Sequence, residues 1–161
     1  MNTGQTLMVI VGILLLTVFI LTVYRASTAR ITISLVNEAT ISATGIAQSI
    51  IDEIQMKAFD ENTTTSGVSS TNSLTAVGSL GPETGETQST LFDDIDDYNN
   101  FTRSDSLSRM GTFNTKVQVY YVQKMTPETK SLSKTFTKRI DVFVFNFSLT
   151  DTLKLYHIVS Y

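Results

Sequence analysis

The chain contains no cysteine, one histidine and two prolines in 161 residues. Without cysteine there is no disulfide scaffold, no thiolate zinc site and no thiol nucleophile. A single histidine, His157, excludes a histidine-rich metal centre. No basic block occurs, and 12 Lys+Arg against 15 Asp+Glu leave a net charge of -3. A nucleic-acid binder needs a concentrated cationic surface to neutralise phosphates, so no nucleic-acid partner is expected. Charged side chains are missing from Met1 to Tyr24, and proline is missing from Met1 to Glu61. The length suits one modest domain.

The uncharged start holds one long apolar run. Leu7 to Tyr24 reads LMVIVGILLLTVFILTVY, with only Gly12, Thr17 and Thr22 among the large apolar side chains. About 20 apolar residues at 1.5 Å rise cross a bilayer core of roughly 30 Å. The run therefore predicts a membrane helix, or a helix buried on all sides. A cleaved secretory signal is the competing reading. It lacks the usual basic start, its apolar core is long, and no small-x-small site follows Tyr24. Gly12, Thr17 and Thr22 mark the run for local loosening, because threonine hydroxyls bond back to helix carbonyls.

Beyond Tyr24 apolar residues recur at Ile31, Leu35, Ala39, Ala43, Ile46, Ile50 and Ile54, with Ala47 and Ile51 beside them. Steps of three and four trace one helical face. Asn37, Glu38, Gln48, Asp52, Glu53 and Lys57 take the other. The pattern predicts one helix from about Thr3 to Ala58, apolar in residues 1–24 and amphipathic in residues 25–60. An amphipathic stripe needs a partner layer, which must come from downstream.

Asn62 to Thr90 is rich in Thr, Ser and Gly and reads as a surface loop. With the acidic stretch that follows it makes a segment 61–105. Asn62, Asn100 and Asn146 open Asn-x-Ser/Thr triplets. Asn62, Thr63, Thr64, Thr65 and Ser66 are the glycosylation candidates, the hydroxyls for O-linked sugar. From about Ser106 the period changes to two. Phe113–Gln123, Thr135–Phe147 and Thr150–Tyr161 alternate as strands, with a further strand near Phe101–Leu107 and a turn over Met125–Lys134. Short connections make neighbours antiparallel. The fold class is therefore α+β, with a long N-terminal helix packed on an antiparallel sheet of three or four strands in residues 106–161.

This plan resembles that of the type IV pilin and pseudopilin family. Tyr24 and Ala29-Arg30 fall in the family's register if Met1 is the mature first residue. Ala47 to Glu61 (AQSIIDEIQMKAFDE) resembles the end of the family's long helix, and Leu91 to Phe101 (LFDDIDDYNNF) a segment that often follows its loop. The resemblance implies a methylated N-terminus at Met1, processing by a prepilin peptidase and an inner-membrane stage. It also implies handling by a pilus assembly platform and polymerisation with identical subunits into an extracellular filament. Gln5, Leu7, Ile10, Leu14, Val18 and Leu21 are the implied subunit contacts. Three features depart from the family: Gln5 replaces its fifth-position glutamate, Thr22 its proline, and the C-terminal cysteine pair is missing. The second register has cleavage after Gly4, leaving Gln5 first.

Asp93, Asp94, Asp96 and Asp97 put four carboxylates in a short run. Oxygen-rich clusters suit calcium, although no EF-hand pattern surrounds them. A solvated acidic turn is the simpler expectation. His157 alternates with Leu153 and Leu155 as a sheet-face residue, and no nucleophile motif surrounds any serine. Neither an enzyme nor a cofactor is expected. A filament-forming pilin is the leading reading; a minor pilin, a secretion-system pseudopilin or a single-pass anchored binding module are the others.

Overall fold

A computed structural model describes residues 2–161. The chain forms two compact units, Met1–Glu38 and Ala39–Tyr161. One helix, α1 (Thr3–Gln55), contributes to both. In the first unit the residues from Asn2 to Leu35 are exposed, and the helix carries no interruption at Gly12, Thr17 or Thr22. The expected loosening is therefore not found. Thr17 and Thr22 donate to the carbonyls of Ile13 and Val18, each at 2.8 Å, without breaking the helix.

In the second unit α1 packs on a sheet through Ala39, Ala43, Ala47, Ile50, Ile51 and Ile54. The buried stripe thus begins at Ala39, whereas Ile31 and Leu35 are exposed. Those two residues belong to the first unit. The helix ends at Gln55, before the expected Ala58. Met56 and Lys57 make tighter turn bonds to Glu53 and Ile54, and the Ala58 backbone is taken by Asp93 and Ile95.

The sheet comprises β1 (Thr102–Leu107), β2 (Gly111–Gln123), β3 (Thr126–Lys130), β4 (Thr137–Phe145) and β5 (Leu153–Ser160). The order is β1-β2-β4-β5, antiparallel throughout, and β3 pairs with the end of β2. β3 occupies what reads as a turn in the sequence. Pro127 lacks an N–H, but a short strand beside the bulge at Val122 and Gln123 tolerates it. Phe113, Val117 and Val119 of β2 and Ile140, Val142 and Val144 of β4 meet the helix. This alternation is that of a sheet with one face on a core. A second cluster joins Phe59, Leu74, Leu80 and Tyr121, so the Ser/Thr-rich segment packs against the sheet instead of standing free.

The opposite face of β4 carries an ionic network. Arg139 Nε lies 2.8 Å from Asp141 Oδ1, and Lys154 Nζ 2.9 Å from Asp141 Oδ2. Tyr120 donates to the same carboxylate, and Arg139 also pairs with Glu128. Burial pushes the Asp141 carboxyl up, but Arg139, Lys154 and Tyr120 outweigh it and hold it below the usual range. A carboxyl depressed in the folded state contributes stability above its unfolded pKa of about 4, and loses it as pH falls through the folded value. Between pH 6 and pH 3 the urea midpoint of the wild type is expected to drop more than that of Asp141→Asn. Parallel acid limbs in the two proteins would show that Asp141 does not supply this dependence.

Candidate functional site

Two regions carry features beyond ordinary packing. The first is the apolar part of α1, long and apolar enough to cross a membrane. Gln5, Leu7, Ile10, Leu14, Val18 and Leu21 are all exposed, Leu14 by 60%. From Leu7 onward the spacing of three and four puts them along one stripe. The hydroxyls of Thr17, Thr22 and Thr28 each donate to the carbonyl four residues earlier. These side chains therefore bring no unpaired donor to the surface, which suits an apolar surrounding. The Gln5 N–H bonds to the Asn2 carbonyl at 2.8 Å. Met1, the expected methylation site, lies outside the described residues.

The second region is the acidic segment, and it is not a solvated turn. Asp93 is exposed, but Asp94, Asp96 and Asp97 are fully buried. Two of them cap each other's backbone. Asp94 Oδ1 accepts from the N–H groups of Asp96 and Asp97, and Asp97 Oδ2 from those of Asp93 and Asp94. Short carboxylates at these spacings satisfy donors that a tight turn leaves open. The segment is bound to the end of the helix by hydrogen bonds between Ala58 and both Asp93 and Ile95. The Tyr98 hydroxyl adds a 2.8 Å bond to Glu53. Phe92, Tyr98 and Phe101 pack edge to face beneath it.

A buried cation sits among these acids. Lys138, fully buried, points from β4 into the core face. Its Nζ lies 2.9 Å from Asp60 Oδ2 and 2.6 Å from Asp96 Oδ1, and donates to the Phe59 carbonyl at 2.7 Å. The rings of Phe59 and Tyr121 flank it, with centroids at 4.5 and 5.0 Å. Asp60 is further held by Thr75 and by the Tyr121 hydroxyl. Burial pushes the Asp60 carboxyl up, yet Lys138, Thr75 and Tyr121 together hold it far below the ordinary carboxylate range. Asp96 is pushed up to about 7 by burial, against the pull of Lys138. Asp94 is pushed up to about 8 by burial and by its neighbours Asp96 and Asp97.

Asp97 also meets two carboxylates from the preceding loop. One carboxylate oxygen each from Glu83, Glu86 and Asp97 lies within 4.8 Å of the other two. Burial, Glu86 and Asp97 push Glu83 up to about 8. Of the four aspartates singled out in the sequence, only Asp97 enters this trio.

The glycosylation candidates divide similarly. Thr63 closes a capping box with Asp60, and the Thr64 hydroxyl donates to the Glu61 carbonyl. Asn62 donates to Asp60 through its side-chain amide. Asn62, Thr65 and Ser66 are exposed. His157 lies on the sheet, 3.1 Å from the Gln55 amide nitrogen.

Sequence reasoning missed Asp60, Lys138, Glu83 and Glu86. A signal existed for Lys138, which stands two residues before Ile140 on the apolar phase of β4. Comparison with family models, curated proteins and solved structures returns no match.

Proposed function

We propose that the chain is the structural subunit of a type IV pilus-like filament. It begins in the inner membrane, is processed by a prepilin peptidase, and is handed by an assembly platform into a helical homopolymer at the cell surface. One observation supports this most. The apolar stretch of α1 is exposed all round within its unit, while the same helix continues into a folded α+β unit. Such a surface needs either lipid or copies of itself. Both surroundings are apolar, so leaving lipid for a filament changes little hydrophobic free energy. Close helix packing and contacts between the folded units must supply the gain. A repeated head-to-tail contact that does not close into a ring makes a filament.

The test is negative-stain microscopy of sheared surface material from cells that carry the assembly machinery, with N-terminal sequencing of the main band. Thin fibres containing this chain, with Met1 first and methylated, are expected. A first residue of Gln5 would move the cleavage site. Fibres holding the chain only at low copy would make it a minor pilin, and short periplasmic fibres a pseudopilin. Absence of the chain from any fibre, with all of it in the membrane, would favour a single-pass anchored binding module.

A further inference from the structure

We infer that Lys138 and Asp96 condense to an intramolecular amide, with Asp60 carrying the protons and one water released. The reacting groups are already in contact. Lys138 Nζ lies 2.6 Å from Asp96 Oδ1 and 2.9 Å from Asp60 Oδ2, and all three side chains are fully buried. Both reactants stand on fixed backbone. Lys138 is paired with Tyr121 of β2 on one side and with Val159 of β5 on the other. The Asp96 N–H bonds to Asp94 Oδ1 at 2.7 Å, and its carbonyl accepts from the Asn99 N–H at 2.8 Å. Groups held together in this way react as if at very high concentration, with effective molarities of about 10⁵–10⁸ M for well-oriented pairs.

Two acids face one amine, and their surroundings give them different parts. Asp60 accepts from the Thr75 N–H and hydroxyl and from the Tyr121 hydroxyl. Those donors favour its ionised form, a base and a poor electrophile. Asp96 is pushed the other way, by burial first and also by the charge of Asp60 beside it. A neutral carboxylic acid is the form that an amine attacks. In water the two groups settle as ammonium and carboxylate and do not condense. Here every buried ion is disfavoured, and the amide replaces a buried ion pair with neutral groups. The rings of Phe59 and Tyr121 flank Nζ and keep the surroundings apolar.

Asp60 first takes a proton from the Lys138 ammonium. Burial raises Asp60, and the Lys138 charge is the chief pull against it, so that pull fades as the proton crosses. The freed lone pair of Nζ attacks Asp96 Cγ, and the C–N bond forms as the carbonyl π pair moves onto oxygen. That pair returns and the bond from Cγ to the hydroxyl breaks. The hydroxyl leaves as water with the proton from Asp60, and the surplus proton on nitrogen passes to Asp60. Ammonium, carboxylate and neutral acid thus become amide, neutral acid and water. The N–H left on the amide has an acceptor in the Phe59 carbonyl, 2.7 Å from Nζ. The first transfer is uphill, so newly folded protein holds the ion pair and aged protein the amide. In a chain without cysteine the link supplies a covalent brace, joining the acidic segment to β4.

The experiment holds the full chain in detergent micelles at neutral pH for days, with circular dichroism to show that it stays folded. Intact-mass spectrometry is expected to find a growing fraction lighter by about 18 Da, one water. Trypsin should spare the bond after Lys138 in that fraction, and the digest should hold a branched peptide joining the segments of Asp96 and Lys138. Lys138→Arg keeps a cation but offers no amine, and is expected to keep its full mass. Asp60→Asn removes the proton carrier and should slow the loss by about a hundredfold or more. Full mass in folded wild-type protein, with trypsin cutting after Lys138, would overturn the amide. So would an equal loss in Lys138→Arg. A branched peptide joining Lys138 to Asp60 would overturn the choice of acid, and an unslowed loss in Asp60→Asn the role of Asp60.

Discussion

Lys138→Met is expected to cost the folded unit about 3–5 kcal/mol, the range found when one partner of a buried ion pair is removed. Domains of this size are stable by only about 5–15 kcal/mol, so the variant should be largely unfolded at 37 °C or melt tens of degrees early. The reason is what stays behind. Asp60 and Asp96 are both fully buried, and Lys138 is the cation shared between them. Methionine fills much of the space and keeps contact with Phe59 and Tyr121, so lost packing explains little of the effect. A second substitution separates the terms. Adding Asp60→Asn to Lys138→Met removes the stranded charge and should recover about 1 kcal/mol or more, on the order of a buried group's desolvation. Urea denaturation of the four proteins in that cycle gives the answer. A cost below about 1 kcal/mol for the single variant would mean the pair contributes no more than an exposed one.

Leu14→Asp is expected to abolish fibres. Leu14 lies mid-way along the apolar stretch, and a carboxylate there meets lipid in the membrane and neighbouring helices in a filament. Insertion scales put an aspartate at a helix centre at about 2.5–3.5 kcal/mol, and every subunit of a polymer would bear the penalty. Leu14→Ile, which changes shape and not polarity, should assemble near wild-type levels. Immunoblots of the membrane fraction separate failed insertion from failed assembly. Wild-type yields of fibre from Leu14→Asp, with the protein in the membrane, would sink the filament reading.

Periodicity in the sequence carries the architecture well. The amphipathic stripe, the switch to a two-residue period and the short connection before β5 all follow from side chains that alternate with backbone geometry. Three things do not follow from it. β3 reads as a turn because Pro127 and the polar run around it carry no apolar alternation. The stripe reads as starting at Ile31, because periodicity reports which face is apolar and not which part of that face is buried. The acidic run reads as solvated because charge suggests exposure. Its burial depends on Lys138, more than forty residues downstream, and on reciprocal capping between Asp94 and Asp97. Glu83 and Glu86 look like ordinary loop acids for the same reason, since their meeting with Asp97 is a tertiary event.

The buried lysine also has a bearing on strand slippage. β4 presents Lys138, Ile140, Val142 and Val144 to the core and Arg139, Asp141 and Phe143 to the other side. Sliding β4 by one residue would exchange those sets and drive Asp141 among the alanines and isoleucines of the helix. Sliding by two would preserve the sides, so hydrophobic alternation alone does not forbid it. That alignment would offer Asp60 and Asp96 a ring from Phe136 or an alkyl group from Ile140, and no positive charge. Lys138 therefore works as an index pin. Of the alignments that keep the oily face inward, only one neutralises both acids, and the strand stops there.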